Sequence, residues 1–237
     1  MAATFSTANV AGTADTGATT EASASTVVPS SSIVYVLVEN SDGSPLAPTG
    51  VVWDAAGVNQ ALTQIGTTIT HGTYYRGSLW RGIGLTAKTA VFTASWSANQ
   101  GERLVSPCVY TGLDSGTPNG TVTQNSGGAT STVTTGAITT TVGQMLLMMA
   151  GRGNAGSATT WDTPTGTERA EGSTSGTPFD SAASQDFVAT GTSTTLTWTL
   201  SNTPDGWAVF AIPLNDAGAG PSSPFPPWPQ RLFQRAA

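Results

Sequence analysis

The amino-acid sequence predicts an all-β protein, built as an antiparallel β-sandwich of two sheets. Segments rich in β-branched and aromatic residues recur about ten times along the chain, with turn residues between them. No stretch keeps the 3.6-residue apolar period of a helix for more than a turn or two. A series of strands without intervening helices favours packed sheets, and among such architectures a jelly roll fits best.

The N-terminal part of the chain differs from the segments after it. Residues 1–30 are small and polar with poor periodicity, which predicts an arm with one strand at most, at Ala3–Val10. Ser32–Asn40 is β-branched and continuous, as expected for a strand buried on both faces. Thr89–Ser97 alternates instead, which is typical of a strand with one buried face. The predicted faces of that strand are Phe92, Ala94 and Trp96 on one side and Val91, Thr93 and Ser95 on the other.

The C-terminal half contains two segments whose composition predicts loops. Residues 114–130 are polar, and residues 151–180 are rich in Gly, Thr, Ser and Pro. Between them we expect a Thr-rich strand at Thr132–Thr141 and an apolar core strand in "GQMLLMMAGRG". The segment "GWAVFAIPLN" ends the folded part. We therefore expect one jelly-roll sandwich over residues 31–216, with no evident internal repeat.

Residues 217–237 form a proline-rich C-terminal arm. Proline favours the extended polyproline conformation, and a stiff arm loses less entropy when it binds. The arm could fold back on its own domain or lie on a neighbouring molecule. For the second alternative, we predict these residues as the partner interface: Phe225, Trp228, Leu232, Phe233, Arg231 and Arg235.

The composition excludes several classes of partner. Charged residues make up 9% of the chain, the net charge is −6, and the arginines form no basic stripe, so we expect no nucleic-acid partner. The longest apolar run, Met145–Ala150, is too short to cross a bilayer, and the N-terminus lacks the pattern of a signal peptide. We expect synthesis in the host cytoplasm, without classical export and without a membrane partner.

Reactive side chains are scarce, since the chain has one His, one Cys and one Lys. His71 lies beside Gly72 at a predicted strand end, and we predict that it is a turn residue. Cys108 lies in an apolar run, which predicts a small, buried hydrophobic residue. A glycosidase would need two carboxyl groups at a defined separation. The candidates all sit beside turn residues: Asp54, Asp114, Asp162, Asp180 and Asp186. We predict no catalytic residue, no cofactor and no metal.

Tryptophan offers the remaining route to a binding site, because aromatic rings stack on sugars. We predict core packing for those that fall in strand patterns: Trp53, Trp80, Trp96, Trp198 and Trp207. Trp161 and Phe179 fall in the predicted loop of residues 151–180. If the protein binds a glycan, we expect these two side chains to contact it.

Several strings between Ile33 and Leu214 resemble a jelly-roll family that is common among tailed-phage structural proteins and bacterial surface modules. They are "GVVWDAAGVNQALTQIG", "GSLWRGIGLTAKTAVFTASWS", "VYTGLDSGTPNG", "TTTVGQMLLMMAG" and "WAVFAIPLN". Gln144 stands where the family usually has an acid. The first 30 residues and the proline-rich arm lie outside the resemblance.

The resemblance implies a non-enzymatic structural protein of a virion. The first hypothesis is a capsid decoration, or cement, protein on the capsid exterior. It would bind the major capsid protein and neighbouring copies of itself, for instance as a trimer, and would act through multivalent contact. The alternative is a phage tail or receptor-binding module, or a carbohydrate-binding adhesin.

Overall fold

Strands make up the regular structure of the protein. The computed structural model describes residues 2–13, 17–41, 43–72, 75–155, 160–174 and 179–218, and these residues contain strands and no α-helix. The predicted all-β class is therefore confirmed. Every pairing between the strands is antiparallel.

The strands fall into two consecutive sets, which we call the first unit (residues 2–113) and the second unit (residues 114–216). The first unit contains β1 Thr4–Ala8, β2 Ala11–Thr13, β3 Ala18–Ala22, β4 Thr26–Val28, β5 Ile33–Ser41, β6 Gly50–Trp53, β7 Gln60–Ala61, β8 Thr63–His71, β9 Tyr75–Ile83, β10 Lys88–Ala90, β11 Phe92–Gln100 and β12 Glu102–Thr111. The second contains β13 Thr123–Gly127, β14 Thr132–Thr134, β15 Ile138–Thr139, β16 Met145–Ala155, β17 Trp161–Asp162, β18 Thr167–Ser173, β19 Phe179–Val188, β20 Ser193–Thr194, β21 Thr197–Leu200 and β22 Gly206–Pro213.

Each unit has one large central sheet and a smaller outer layer. In the first unit the central sheet has the order β1-β12-β5-β9-β8, with β2 also paired to β12. Its outer layer has the order β3-β11-β6-β7, with the pair β4-β10 alongside. In the second unit the central sheet is β13-β22-β16-β19-β18, and the outer layer consists of β14-β21-β17 and β15-β20.

The second unit repeats the strand order of the first. The central sheets correspond strand for strand except for β2, and the outer layers do so except for β7, since neither of these two strands has a counterpart. Each unit also contains a tryptophan–aspartate string, but the two are not equivalent in place, because Trp53 pairs with the first residue of β11 and Trp161 with the last residue of β21. The chain is thus a tandem pair of similar sandwiches. This corrects the expectations of a single sandwich over residues 31–216 and of no internal repeat.

The two central sheets pack face to face, so the molecule has four layers. The contacts are reciprocal: β8 contacts β13, while their counterparts β18 and β1 also contact each other. Strands β5 and β16, which correspond to one another, lie in contact at the centre. The same faces of two similar units therefore meet around an approximate two-fold axis, as in an isologous dimer interface.

Three hydrophobic cores separate the four layers. The central core lies between the units and includes Tyr35, Leu79 and Cys108 from the first and Met149 and Phe210 from the second. Each outer core lies between a central sheet and its outer layer. Because both faces of the central sheets are covered, every residue of β5 and of β22 is buried. This confirms the prediction that Ser32–Asn40 is buried on both faces.

The alternating strand is also confirmed. Phe92, Ala94 and Trp96 of β11 point into the outer core of the first unit, while Thr93 and Ser95 are partly exposed. Partner strands on both sides, β3 and β6, complete the ladder of β11. The period-two pattern of this segment therefore indicated the correct face.

Three segments are more structured than predicted. Residues 1–30, expected to be an arm with one strand, contribute β1 to β4, and β1 pairs with β12 from Thr4–Thr111 to Ala8–Cys108. The expected loop of residues 151–180 contains β17 and β18, as well as parts of β16 and β19. The expected loop of residues 114–130 contains β13. Edge strands such as these are short or polar, which is why their sequences resemble loops.

Candidate functional site

Ionisable side chains from both units lie at the central core, which three of them face, and beside it, where Arg152 lies on the outer-core face of its strand. Glu39 on β5 and Tyr75 on β9 come from the first unit, and Arg152 on β16 and Asp180 on β19 come from the second. We call these four residues the interface cluster. Each is at most 1% exposed. The Tyr75 hydroxyl donates a hydrogen bond to Glu39 Oε2 at 2.8 Å.

Two glycines of β16 make room for the cluster. A Cβ atom at Gly151 would overlap Oε2 of Glu39, and one at Gly153 would overlap Oγ of Ser41 and lie 3.2 Å from Oδ1 of Asp180. The backbone of β16 can therefore approach the acidic side chain of β5 because these positions lack side chains. The cluster therefore packs directly against the backbone of β16 at these two glycines.

Burial controls the protonation of the acids. Removal from water raises the pKa of Glu39 well above its ordinary value, and the nearby Asp180 carboxylate raises it further. The Tyr75 hydrogen bond and the Arg152 charge lower the pKa of Glu39, but burial dominates. Burial and the Glu39 carboxyl also raise the pKa of Tyr75, so its hydroxyl keeps its proton and remains a donor.

Arg152 connects the cluster to the outer core of the second unit. Burial lowers the pKa of Arg152 to about 10, while the charges of Asp180 and Glu39 act to raise it, so the guanidinium remains charged at neutral pH. Its Nε donates to Oγ of Ser181 at 2.9 Å. The indole Nε1 of Trp161 donates to the same oxygen at 3.0 Å. The Arg152 guanidinium is thus fixed by Ser181, and its charge acts on Asp180 and Glu39 through the field between them.

A second polar contact joins the units near the edges of the central sheets. Tyr110 of the first unit donates to Oδ2 of Asp186 at 3.3 Å, and Arg169 Nε binds the same oxygen at 2.6 Å. The Arg169 guanidinium in turn lies 4.4 Å from the ring centroid of Phe5, over its face. Polar side chains therefore join the units at this place as well as elsewhere along the interface.

The arrangement of the interface cluster suits a structural role. A glycosidase needs two carboxyl groups with a sugar between them, in a site that the sugar can enter. Glu39 and Asp180 instead lie under both central sheets, with the β16 backbone against them. A buried, hydrogen-bonded cluster of this kind restricts how two apolar faces can slide over each other, because displacement leaves charge unpaired.

The predicted carboxylate candidates are not brought together. Asp54 and Asp114 are turn residues as predicted. Asp54 binds Lys88 Nζ at 2.8 Å, and Asp114 accepts the amide of Gly116 at 2.8 Å. Hydrogen bonding to Lys88 lowers the pKa of Asp54, and the Gly116 amide lowers that of Asp114.

Two other aspartates depart from the turn prediction. Asp180 and Asp186 lie within β19, so the expectation that they are turn residues is wrong. Asp162, at the end of β17, stays on the surface and accepts a hydrogen bond from the Thr160 hydroxyl. His71 ends β8 and lies against Gly206 of the second unit.

Sequence reasoning missed Glu39. The available signal was an acid near the end of a continuously buried strand, since a charged residue is almost never fully buried without a partner. Its partners lie on β9 and β19, far away along the chain. Only the face-to-face packing of the central sheets brings them together.

The tryptophan predictions divide into two groups. Core packing is confirmed for Trp53, Trp80, Trp96, Trp198 and Trp207, which are all buried. Trp161 is also buried, at 2% exposure, and its ring lies edge-on to Trp198 with centroids 5.3 Å apart. The predicted role of Trp161 as an exposed glycan contact is therefore wrong, because its ring is enclosed in the outer core.

Several other predicted contacts lie outside the described residues. These are the side chain of Phe179 and the interface residues Phe225, Trp228, Leu232, Phe233, Arg231 and Arg235. They remain predictions. Cys108 is buried in the central core as predicted, and burial raises the pKa of its thiol to about 12.

Within the described ranges, no three side chains of His, Cys, Asp or Glu are grouped as a metal site requires. The same residues include no helix with the length and apolar character needed to span a membrane. Comparisons with models of known families, with curated proteins and with solved structures found no match to the chain.

The raised pKa of Glu39 gives the protein a predictable pH dependence. Glu39 loses its proton near pH 4.5 in the unfolded chain and at a higher pH in the folded protein. Between these values the folded state binds the extra proton, so the stability that Glu39 contributes is complete below about pH 4.5 and is lost as the pH rises. The expected slope is about 1.4 kcal/mol per pH unit.

The measurement is denaturant unfolding of the wild type and of Glu39→Gln between pH 4.5 and pH 8. The difference between the two unfolding free energies should change with pH, because glutamine does not titrate. Glu168→Gln, on the exposed face of β18, is the matched control and should run parallel to the wild type. Parallel curves for Glu39→Gln and the wild type would show that Glu39 ionises normally.

Proposed function

We propose that the chain is a non-enzymatic structural protein of a virus particle. It would be a capsid decoration protein that binds the outer face of the major capsid protein and stabilises the shell. The observation that carries this proposal is the pairing of two similar sandwiches in one four-layer body. Such a body has two similar outer layers that face away from each other.

Two similar outer layers suit a protein that links neighbours. One copy could contact two adjacent capsid subunits through related surfaces, and each contact would strengthen the other because both belong to one molecule. The joint between the layers would have to resist shear, and the hydrogen bonds from Tyr110 to Asp186 and from Arg81 to Asn119 cross it. The ionisable groups that the fold brings together would thus serve cohesion.

The strand order supports the jelly-roll part of the proposal. Within the first unit the chain passes repeatedly between the two sheets. Strand β3 is outer, β5 is central and β6 is outer; β8 and β9 then form a central hairpin, β11 is outer and β12 is central. The first strand of the unit, β1, pairs with its last, β12, next to β5. In the second unit, β13 and β22 form the same closure. Closure of the first strand on the last is the connectivity expected of two interlocked Greek keys.

Imaging of the parent particle tests the proposal. Electron microscopy of purified particles should show two stacked sandwiches in many copies over the shell. Particles made without this gene are the control, and they should lack that density and lose their contents at a lower temperature. A few copies confined to the tail would favour the tail or receptor-binding alternative. Particles without any copy of the protein would overturn the virion proposal.

A further inference from the structure

One end of the molecule, which we call the junction end, is where the two units are joined along the chain. Strands β5 and β16 begin here, β12 and β22 end here, and Leu113 forms a bridge with Asp216. Just beyond the bridge, the amide of Ala217 donates to the carbonyl oxygen of Gly112 at 2.7 Å. The described chain therefore leaves the fold at a defined point between the two units.

Exposed apolar side chains are concentrated at this end. Val142 is 72% exposed, Val188 is 53% exposed and Ile83 is 38% exposed. Val142 lies in the turn before β16, and Val188 pairs with Met145 at the start of β16. Ile83 pairs with Ile33 at the start of β5. Ile83 and Val188 thus occupy corresponding positions of the two units, at the ends of β9 and β19.

Two further exposed valines belong to the same end. Val27 pairs with Thr89 in β10, which follows the loop after Ile83. The amide of Val58 donates to the Asp54 carboxylate, which also binds Lys88 at the start of β10. All the large, exposed hydrophobic side chains in the described part of the chain therefore lie at or beside the junction end. Concentration of this kind marks a surface that another segment or protein covers.

Two shallow depressions at the junction end follow the symmetry of the units. One is lined by Ile83 and Leu113 of the first unit. The other is lined by Val142, Leu214 and Asp216 of the second unit. The Leu113–Asp216 bridge lies between them, so a segment that starts at this bridge has both depressions within reach.

We propose that the C-terminal tail, residues 219–237, docks on the junction end of its own chain. The tail has two groups of large apolar side chains, Phe225 with Trp228 and Leu232 with Phe233. These groups are apolar, as are the large exposed side chains of the junction end. The inference selects one of the two alternatives for the arm, and it does not depend on the proposed function.

The exit point favours docking within one chain. Gly218, the last described residue, is two positions after Asp216, which already lines one depression. A segment tethered so close to its site has a high effective concentration there, which a tail from another molecule would have to exceed.

Charge favours the same arrangement. Asp216 is exposed and Asp114 is half-buried at the junction end. The tail carries Arg231 and Arg235, and no acidic side chain. Opposite charges on tail and surface would orient the tail as it docks.

Photo-crosslinking of the full chain tests this proposal. A benzophenone amino acid replaces Phe225 in one variant and Phe233 in another, and mass spectrometry maps the crosslinked residues. The protein is a mixture of unlabelled and ¹⁵N-labelled chains. We expect crosslinks near Val142, Val188 or Ile83, within chains of one label. Crosslinks between differently labelled chains, crosslinks to the opposite end near His71, or no crosslinks would each overturn the proposal.

A surface variant provides a second, independent measurement. Val142→Lys with Val188→Lys places two ammonium groups on the exposed patch, which remove its apolar character and repel the arginines of the tail without touching the core, so folding should be unchanged by circular dichroism. We expect the crosslink yield to fall about tenfold, which corresponds to about 1.4 kcal/mol of docking free energy. Ser44→Lys with Thr70→Lys, both exposed and at the opposite end, is the matched control and should keep the full yield. An unchanged yield in the valine variant would show that the patch does not hold the tail.

Discussion

Substitution of Gly151 by alanine is expected to destabilise the folded protein by about 3 kcal/mol or more. The new Cβ atom would overlap the carboxyl group of Glu39, which is fully buried and held by Tyr75. Neither group can move aside, because β5 and β16 each pair with strands on both sides. The measurement is guanidinium unfolding of the variant and the wild type at neutral pH.

A matched glycine provides the control for this prediction. Gly50 in β6 has open space where a Cβ atom would lie, so Gly50→Ala should change the free energy of unfolding by about 0.5 kcal/mol or less. The double variant Gly151→Ala with Glu39→Ala should recover part of the lost stability, since the overlapping carboxyl group is gone. Wild-type stability in Gly151→Ala would contradict the packing described for the central core.

Substitution of Trp161 by alanine should cost about 3–5 kcal/mol. The side chain is enclosed in the outer core of the second unit, where it packs edge-on against Trp198 and donates to Ser181. Its removal leaves a large cavity and takes one donor from Ser181, which also accepts a hydrogen bond from Arg152. Thermal and denaturant unfolding would measure the loss.

Trp161→Phe separates packing from hydrogen bonding. Phenylalanine fills most of the space but cannot donate to Ser181, so a loss of about 1–2 kcal/mol is expected. Trp53→Ala, in the outer core of the first unit, should cost as much as Trp161→Ala, because Trp53 is equally buried and packs against Phe92. If Trp161→Ala kept its stability and lost binding to a glycan, the indole would have to be a surface contact.

The sequence was sufficient to predict the fold class and several individual strands. Period-two alternation identified the buried face of β11, and continuous apolar character identified β5 as covered on both sides. These signals are local, because they depend on how one strand is solvated. The edge strands β13 and β18 were missed, since a strand that is half exposed to water is as polar as a loop.

The duplication was harder to predict because packing, and not sequence identity, is what the two units share. Trp53-Asp54 and Trp161-Asp162 form a short matching string, but the segments around them differ in length and composition. One signal was available. Long continuously buried strands occur twice in each half of the chain, as β5 and β12 and as β16 and β22. A sandwich of two sheets buries one face of each strand, so strands buried on both faces required additional layers.

The interface cluster was not predictable for the same reason. Glu39 and Asp180 belong to different units, and no local pattern links them. Their proximity follows from the contact between the central sheets, which depends on the shape of a whole apolar face. Close packing against Glu39 requires glycine at positions 151 and 153, and these glycines are visible in the sequence. Gly151 and Gly153 alone do not identify the acid that they accommodate.

The pairing of the first strand with the last strand in each unit determines when that unit can fold during synthesis. Strand β1 pairs with β12, so the first unit cannot be completed until Thr111 has left the ribosome, and β13 must wait for β22 in the same way. During that interval the nascent first unit exposes the face that carries Tyr35, Leu79 and Cys108, which only the second unit covers. Translation of the second half of the chain is therefore the period in which this protein most needs protection from aggregation, and the rate of elongation sets how long that period lasts.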